Sequence, residues 1–143
     1  MRIVALDFGL KRIGMAITDE NQIIATALPN IEASRQTETT IQTVLKALAP
    51  YRIEKLVIGN PLHMNGQASF LGDEVQHFVE ALRKHVSFPI VLWDERLSSL
   101  QADRSLREGN LSRKKRAKRV DSIAAVFILQ SFLETNANSG VFL

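Results

Sequence analysis

The 143-residue sequence contains no cysteine, which excludes disulfides, thiolate nucleophiles and zinc–thiolate sites. Aromatic residues are also scarce, with one Trp, one Tyr and seven Phe, so we expect no aromatic platform on which bases stack. No apolar run is long enough to cross a bilayer: the longest is Ile123 to Leu129, and Asp7 interrupts the apolar N-terminus too early for a signal peptide. We therefore expect a cytoplasmic protein that does not contact a membrane.

Length and composition favour a single domain. A chain of this length with 45% hydrophobic residues can bury one sizeable core. The sequence shows no internal repeat, no low-complexity tract and no linker. We expect one domain over residues 1–138, followed by a short C-terminal tail over residues 139–143.

The positive charge of the chain is concentrated in one segment. The net charge is +3, yet six of the 18 basic residues lie within seven positions. The remaining 12 Lys and Arg face 15 Asp and Glu, which leaves the rest of the chain at −3. Such a local patch indicates a polyanionic partner, although a charge run is often a solvated loop. The six residues are Arg113, Lys114, Lys115, Arg116, Lys118 and Arg119.

Hydrophobic periodicity predicts an alternation of strands and helices. Three strands come first, at residues 2–8, 13–19 and 23–28, and form an antiparallel meander. Then come a helix at 37–49, a strand at 56–59, a helix at about 70–86, a strand at 89–93, and helices at about 98–108 and 120–135. The order β-β-β-α-β-α-β-α-α predicts an α/β protein with a mixed sheet.

Acidic residues stand at the ends of two predicted strands and at the start of the last helix. Asp7 ends the first strand, Asp94 and Glu95 follow the strand at 89–93, and Asp121 lies in the first turn of the last helix. Strand carboxyl ends converge on one crevice in an open α/β sheet. Asp121 is four residues before Ala125, on the side of the helix that we expect to face inward.

Carboxylates brought together in this way suit hard cations. Oxygen ligands without a Cys or His pattern favour Mg²⁺ or Mn²⁺, and two such ions clamp the attacking and leaving oxygens of a phosphoryl displacement. A phosphodiester in nucleic acid is therefore the expected substrate. Each acid also has a structural explanation: Asp121 favours the helix dipole, and Glu95 can pair with Arg96 or cap the next helix.

Three further cations lie next to the acids. Lys11 and Arg12 follow the first acid in a turn, and Arg96 follows the acidic pair. All three are candidates for holding a phosphate near the metals. Solvated turn residues, or an ion pair in the case of Arg96, explain them equally well.

Four motifs follow one another along nearly the whole chain. In this order they resemble the YqgF family of RuvX-type nucleases. The resemblance implies an RNase H-like fold, related to the RuvC resolvases, with a central mixed sheet flanked by helices. The motifs are Asp7-Phe8-Gly9-Leu10-Lys11-Arg12-Ile13-Gly14, Gly59-Asn60-Pro61-Leu62, Asp94-Glu95-Arg96 and Val120-Asp121-Ser122-Ile123-Ala124-Ala125.

Carried over by position, the resemblance implies that Asp7, Asp121 and one acid of the Asp94-Glu95 pair are the catalytic residues and metal ligands. Sequence parity does not say which acid of the pair joins the site, and we choose Glu95. Asp94 is the reserve candidate, because adjacent strand residues point to opposite faces and only one of the pair joins the site readily. Ser98 and its neighbour stand where the family usually shows Thr, which keeps the hydroxyl.

Several functions remain open. Family members are implicated in maturing the 5′ end of pre-16S rRNA, or are proposed as Holliday junction resolvases, so we expect an endonuclease acting on structured RNA or branched DNA. A non-catalytic RNA-binding ribosome-assembly factor is the alternative of another class. The Asp-x-Gly opening also occurs in actin-like ATPases and sugar kinases, but those need two such domains. The protein is expected to be a monomer or a homodimer.

Overall fold

The computed structural model of the chain describes residues 1–9, 11–60, 70–94 and 123–135. Within them lie five strands: β1 (Arg2–Phe8), β2 (Arg12–Thr18), β3 (Ala25–Glu32), β4 (Ile53–Asn60) and β5 (Ile90–Asp94). The helices are α1 (Thr37–Leu48), α2 (Phe70–Arg83) and α3 (residues 123–135). The predicted helix at 98–108 lies outside the described residues.

The strands form one mixed sheet in the order β3-β2-β1-β4-β5. The first three strands pair antiparallel, whereas β4 pairs parallel to β1 and β5 parallel to β4. This confirms the predicted meander followed by alternating helices and strands. Because β1, β4 and β5 run in the same direction, they end at the same side of the sheet, which we call the carboxyl edge. The opposite side is the amino edge.

One face of the sheet packs against α1 and α2. Alternation along the strands sends Leu6, Met15 and Ile58 to this face, where all three are fully buried. The two helices contribute apolar residues at helical spacing, as their sequence periodicity predicts. These are Ile41, Val44 and Leu48 from α1 and Val75, Phe78, Val79 and Leu82 from α2.

The other face packs against α3, and its strand residues are small. Ala5 and Ala16 face each other across β1 and β2 and are fully buried. Side chains this small let a helix approach the sheet closely. The buried helix residues are Ala125, Ile128, Leu129 and Phe132, so the side of the last helix predicted to face inward does pack on the sheet.

Two strand boundaries differ from the sequence prediction by three residues or more. Strand β3 was predicted to end at Leu28 but continues through Pro29 to Glu32. Its register against β2 shifts between Ile13 and Met15, so Pro29 and Asn30 stand opposite a single residue in a bulge, a position where proline is tolerated. Strand β4 begins three residues earlier than predicted, at Ile53, because its first residues pair with the start of β1.

None of the helices within the described parts of the chain is long and apolar enough to span a membrane.

Candidate active site at the carboxyl edge of the sheet

Asp7 lies in β1, one residue before the strand ends. It is half-buried and stands opposite Gly14 in the β1–β2 ladder. Alternation places it on the same face of β1 as Ile3 and Ala5, both of which pack against α3. The first predicted acid is therefore on the α3 face at the carboxyl edge.

The end of β5 reaches the same edge. Leu6 pairs with Ile58, and Asn60 at the end of β4 pairs with Asp94 at the end of β5. Strand β4 lies between β1 and β5, which separates them by two strand spacings, about 10 Å. The structure thus confirms that the strands bearing Asp7 and Asp94 end together, as the sequence argument expects.

Side chains along β5 alternate between the two faces in a way that is visible from their packing. Ile90 and Leu92 pack with the α1 and α2 core. Val91 and Trp93 pack with α3, and the Trp93 ring meets Phe132 edge-on at a centroid distance of 5.5 Å. Odd-numbered positions of β5 consequently share the face of Asp7.

The remaining predicted acids and most predicted cations lie outside the described residues. Among the described residues, no group of three or more His, Asp or Glu side chains could hold a metal ion. The residues outside are Glu95, Arg96, Arg113, Lys114, Lys115, Arg116, Lys118, Arg119 and Asp121. Among the predicted ligands, Asp7 is the one whose backbone and side chain both lie within the described residues. Its carboxylate at a strand end fits an oxygen-only site for a hard cation.

The turn after Asp7 is tight and tied to the next strand. The Gly9 N–H donates to the Arg12 carbonyl at 3.0 Å, and the Ala33 N–H donates to the Lys11 carbonyl at 2.8 Å. Lys11 is exposed and Arg12 is half-buried. A Cβ on Gly9 would lie 2.7 Å from the Arg12 carbonyl oxygen, so glycine is required here by close approach. The turn brings two cations to the carboxyl edge, where β1 ends.

The structure adds one cation that sequence reasoning missed. Arg35 is exposed in the connection between β3 and α1, two residues after Ala33. It lines a small cavity of about 40 Å³ together with Phe8, Thr37 and Glu74. The sequence offered no signal for it, because a single Arg in a polar segment belongs to no motif. A groove of about 750 Å³ on α1, lined by residues such as Thr39 and Lys46, includes none of the predicted site residues.

Comparison with known proteins decides the family. Residues 1–135 match the family described as "RuvX: Holliday junction resolvase". The chain belongs to this family. A protein of Protochlamydia amoebophila named "Putative pre-16S rRNA nuclease" is 46% identical over 140 residues, covering 94% of this chain and 93% of its own length. A protein of the same name from Caldanaerobacter subterraneus is 42% identical and covers 97% of this chain and 100% of its own length. The chain is thus a member of a nuclease family.

Two of the solved structures that share the fold of this chain are resolvases. The fowlpox virus resolvase, determined with Holliday junction DNA, superposes with a TM-score of 0.56 at 14% identity and covers 94% of this chain and 98% of its own. RuvC of Thermus thermophilus, also with a Holliday junction substrate, gives a TM-score of 0.54 at 14% identity and covers 90% of this chain and 92% of its own. At such identities the likeness concerns the fold alone, which is RNase H-like as predicted.

Proposed function

We propose that this RuvX-family protein is a metal-dependent endonuclease that hydrolyses phosphodiester bonds at the carboxyl edge of its sheet. The observation that carries the proposal is the position of Asp7: a half-buried carboxylate on the α3 face, at the edge where β1, β4 and β5 end. A carboxylate oxygen at a strand end is the kind of ligand that hard cations such as Mg²⁺ prefer. The metal ligands in the proposal are Asp7, Glu95 and Asp121.

Strand alternation favours Glu95 over Asp94 as the second ligand. Positions 91 and 93 pack with α3 on the face of Asp7, whereas positions 90 and 92 pack with α1 and α2. Strand β5 ends at Asp94, and our proposal extends the alternation by one residue, which would place Glu95 with the first series. Glu95 lies outside the described residues, and it is the second ligand that we propose.

Helix periodicity favours Asp121 as the third ligand. Position 121 precedes Ala125 by four residues and Ile128 by seven, the spacing of one helix side. Both Ala125 and Ile128 are buried on the sheet face that carries Asp7. Asp121 itself also lies outside the described residues, so its place in the site is part of the proposal.

These residues would hold Mg²⁺ or Mn²⁺, and the bound cations would supply a nucleophile from water and stabilise the charge of the leaving oxygen. The chain's own contribution is to fix the ligands. Asp7 is held in a five-stranded sheet between Leu6, which is buried, and Phe8, whose ring contacts Phe78 at 5.1 Å. A ligand on such a rigid element is positioned well enough for catalysis.

Cations around the edge would bind the phosphate backbone of the substrate. Lys11 and Arg12 lie in the turn that follows Asp7, and Arg35 lies at the same edge but on the opposite face, beside Phe8 and the start of α1. Arg96 and the segment 113–119 would supply the rest. We propose that this machinery belongs to one domain, residues 1–138, with a tail over 139–143.

The substrate that we propose is the 5′ end of pre-16S rRNA, processed in the cytoplasm. The support is the name of the relatives, which share 37–46% identity with this chain over nearly its whole length. The family description, Holliday junction resolvase, favours branched DNA as the second candidate.

A cleavage assay with both substrates tests the function. Precursor RNA bearing the 16S 5′ leader and a four-way DNA junction are each incubated with Mg²⁺, Mn²⁺ or EDTA. We expect metal-dependent product from the RNA, and none after Asp7→Asn, because a neutral amide weakens metal ligation. Glu54→Gln, which changes an exposed acid near the amino edge, is the matched control and should keep full activity.

The possible outcomes separate the candidate functions. Product from the junction alone would replace rRNA processing by junction resolution. Tight RNA binding with no product under any metal condition would favour a non-catalytic assembly factor. Full cleavage by Asp7→Asn would overturn the assignment of the site.

A further inference from the structure

Arg35 lies at the carboxyl edge, but on the other face of the sheet from Asp7. It lines the cavity of about 40 Å³ with Phe8 and Glu74, on the side that packs against α1 and α2. Asp7 shares the opposite face with Ala5, which packs with α3. The two residues therefore cannot act on the same phosphate as neighbours, and Arg35 requires a ligand of its own.

The backbone on both sides of Arg35 is fixed by hydrogen bonds. The Ser34 N–H donates to the Thr40 hydroxyl at 2.9 Å, and the Gln36 N–H donates to the Ser34 hydroxyl at 3.2 Å. Thr40 is only 3% exposed, so its hydroxyl ties this segment to the core. Arg35 is thereby held at a defined place on the molecule, which suits a binding residue.

The same segment is tied to the turn that follows β1. The Ala33 N–H donates to the Lys11 carbonyl at 2.8 Å. Lys11 is exposed and directly precedes β2, while Arg35 follows β3. The sheet order β3-β2-β1 therefore sets Arg35, Lys11 and Asp7 one after another along the carboxyl edge.

The positive charge of Arg35 is available to a ligand. Its side chain is exposed, and within the described part of the chain it makes no hydrogen bond or ion pair, although Glu74 lines the same cavity. A guanidinium group donates two parallel hydrogen bonds to a phosphate, which makes Arg well suited to hold a nucleic-acid backbone.

We propose that Arg35 binds a phosphate about three nucleotides from the scissile bond, on a substrate strand that crosses the carboxyl edge from the α3 face to the α1 face. Strand β3 lies two strand spacings from β1, about 10 Å. Phosphates of one helical strand follow each other at about 3.4 Å along the axis. The inference rests on the proposed function, because Asp7 marks the place of the scissile phosphate.

A subsite at this distance determines where along a strand the protein cuts. A strand that ends less than about three nucleotides from the scissile bond on this side offers no phosphate to Arg35. The preferred substrate is therefore a strand that continues beyond the cut on the side of Arg35. The contact reads the phosphate and not the base, so it serves RNA and DNA alike.

Steady-state kinetics on the substrate that the wild type cuts test the contact. Arg35→Gln should raise the KM about tenfold, the loss expected for one charge-assisted hydrogen bond. The kcat should not change, because a remote phosphate is bound equally before and during the reaction. Arg35→Lys keeps the charge without the two parallel donors, so its KM should fall between the two.

The matched control is Arg83→Gln, which removes an exposed cation from the last turn of α2, at the amino edge. It makes the same change in net charge and should keep the wild-type KM. The urea midpoint of Arg35→Gln should equal that of the wild type, because Arg35 has no hydrogen bond or ion pair to lose in the described part of the chain.

Uncharged linkages locate the phosphate that Arg35 binds. In a series of substrates, one phosphate at a time on either side of the cut is replaced by a methylphosphonate, which removes the charge. For RNA, the substituted nucleotide carries a 2′-O-methyl ribose, and a charged linkage with the same ribose is the reference. A neutral linkage about three phosphates from the cut should raise the KM of the wild type but not that of Arg35→Gln, because both changes remove one contact.

Two results would overturn this inference and leave the proposed function intact. One is a wild type that cuts while Arg35→Gln and Arg83→Gln have the same KM. The other is a set of neutral linkages that affects the wild type and Arg35→Gln equally at every position. A wild type that cuts neither the precursor RNA nor the junction would instead overturn the proposed function, and this inference with it.

Discussion

Trp93 packs edge-on against Phe132, with ring centroids 5.5 Å apart and ring planes at 82°. This contact joins the end of β5 to α3 and shows that position 93 lies on the α3 face of the sheet. Asp7 occupies the same face at the end of β1. Two strands that carry predicted acids, and the helix that follows a third, therefore pack on one face of the sheet.

We predict that Glu95→Gln abolishes metal-dependent cleavage, whereas Asp94→Asn retains most of it. Val91 and Trp93 pack on the face of Asp7, and we propose that Glu95, the next odd-numbered position, joins that face. Loss of a ligand should lower the rate by more than the roughly 10–100-fold typical of a group that only orients a ligand. Rates with saturating Mn²⁺ measure the effect. Equal losses in both variants would contradict the assignment.

Asp7 is followed by a turn that leaves no room for a side chain at Gly9. We predict that Gly9→Ala destabilises the protein by about 1–3 kcal/mol, the usual cost of forcing extra atoms into a packed site. The added Cβ would lie 2.7 Å from the Arg12 carbonyl oxygen, a backbone atom that also accepts the Gly9 N–H.

Urea denaturation measures this cost. Ser87→Ala, in an exposed loop, serves as a control that changes no packed contact. An unchanged midpoint for Gly9→Ala would mean that the turn relaxes without strain.

The sequence predicted most elements because their patterns are local. The alternation in β1 and β2 and the helical spacing in α1 place those elements within about a residue of the observed bounds. The start of β4 was missed because Ile53, Glu54 and Lys55 show no continuous apolar run, and only pairing with the distant start of β1 makes them a strand. Pairing of this kind is invisible in the segment itself.

In the candidate site, too, the sequence predicted features that lie within one segment and missed those that depend on contacts between distant segments. Asp7 was found from its position at a strand end, but the face it shares with β5 depends on the register of three strands, which no single segment contains. The sequence left the choice between Asp94 and Glu95 open, and Glu95 stays our proposal. Arg35 was missed because only the fold brings it beside Phe8.

The close packing of α3 on the sheet depends on small residues, and we predict that Ala16→Leu destabilises the protein by about 1–3 kcal/mol. Ala16 is fully buried opposite Ala5, in the cluster that contains Ile128. Thermal unfolding measures the effect, and Ala49→Leu at an exposed position is the matched control. If α3 shifts to make room, cleavage should fall as well, because Asp121 lies two residues before the described part of that helix. A variant as stable as the wild type would show that the face is loosely packed.

The Asp19 turn should make part of the stability depend on pH. Hydrogen bonds from the N–H groups of Ile24 and Ile23 hold the pKa of Asp19 below its ordinary value of 3.8. A carboxylate with a lowered pKa in the folded state stabilises it above the unfolded pKa, and this contribution is lost as the pH falls through the folded pKa.

Asp19→Asn should therefore be less stable than the wild type at neutral pH, and the difference should shrink as the pH is lowered below 3.8. Urea midpoints of both proteins across this range measure it. Asp73→Asn, which changes an exposed acid in the first turn of α2, is the control for general charge effects. A difference between Asp19→Asn and the wild type that stays constant with pH would mean that the charge of Asp19 does not stabilise the turn.

The basic segment before Asp121 should account for much of the salt dependence of nucleic-acid binding. Changing Lys114, Lys115 and Arg116 together to Gln should weaken binding and reduce the slope of log K against log salt by roughly 0.7–0.9 per lost phosphate contact. Three lost contacts therefore predict a reduction of roughly 2–3. Fluorescence anisotropy with labelled precursor RNA in EDTA measures binding without cleavage.

The matched control for this prediction changes three cations elsewhere to Gln: Lys46, Arg52 and Arg83, all of them exposed. It alters the net charge by the same amount, so a long-range effect of charge would lower binding equally in both triple variants. A smaller slope only in the first variant would assign direct phosphate contacts to the segment, because counterion release depends on local contacts and not on net charge. Equal slopes in the wild type and both variants would show that residues 114–116 are a solvated loop, and the phosphate contacts would then have to come from the carboxyl edge itself.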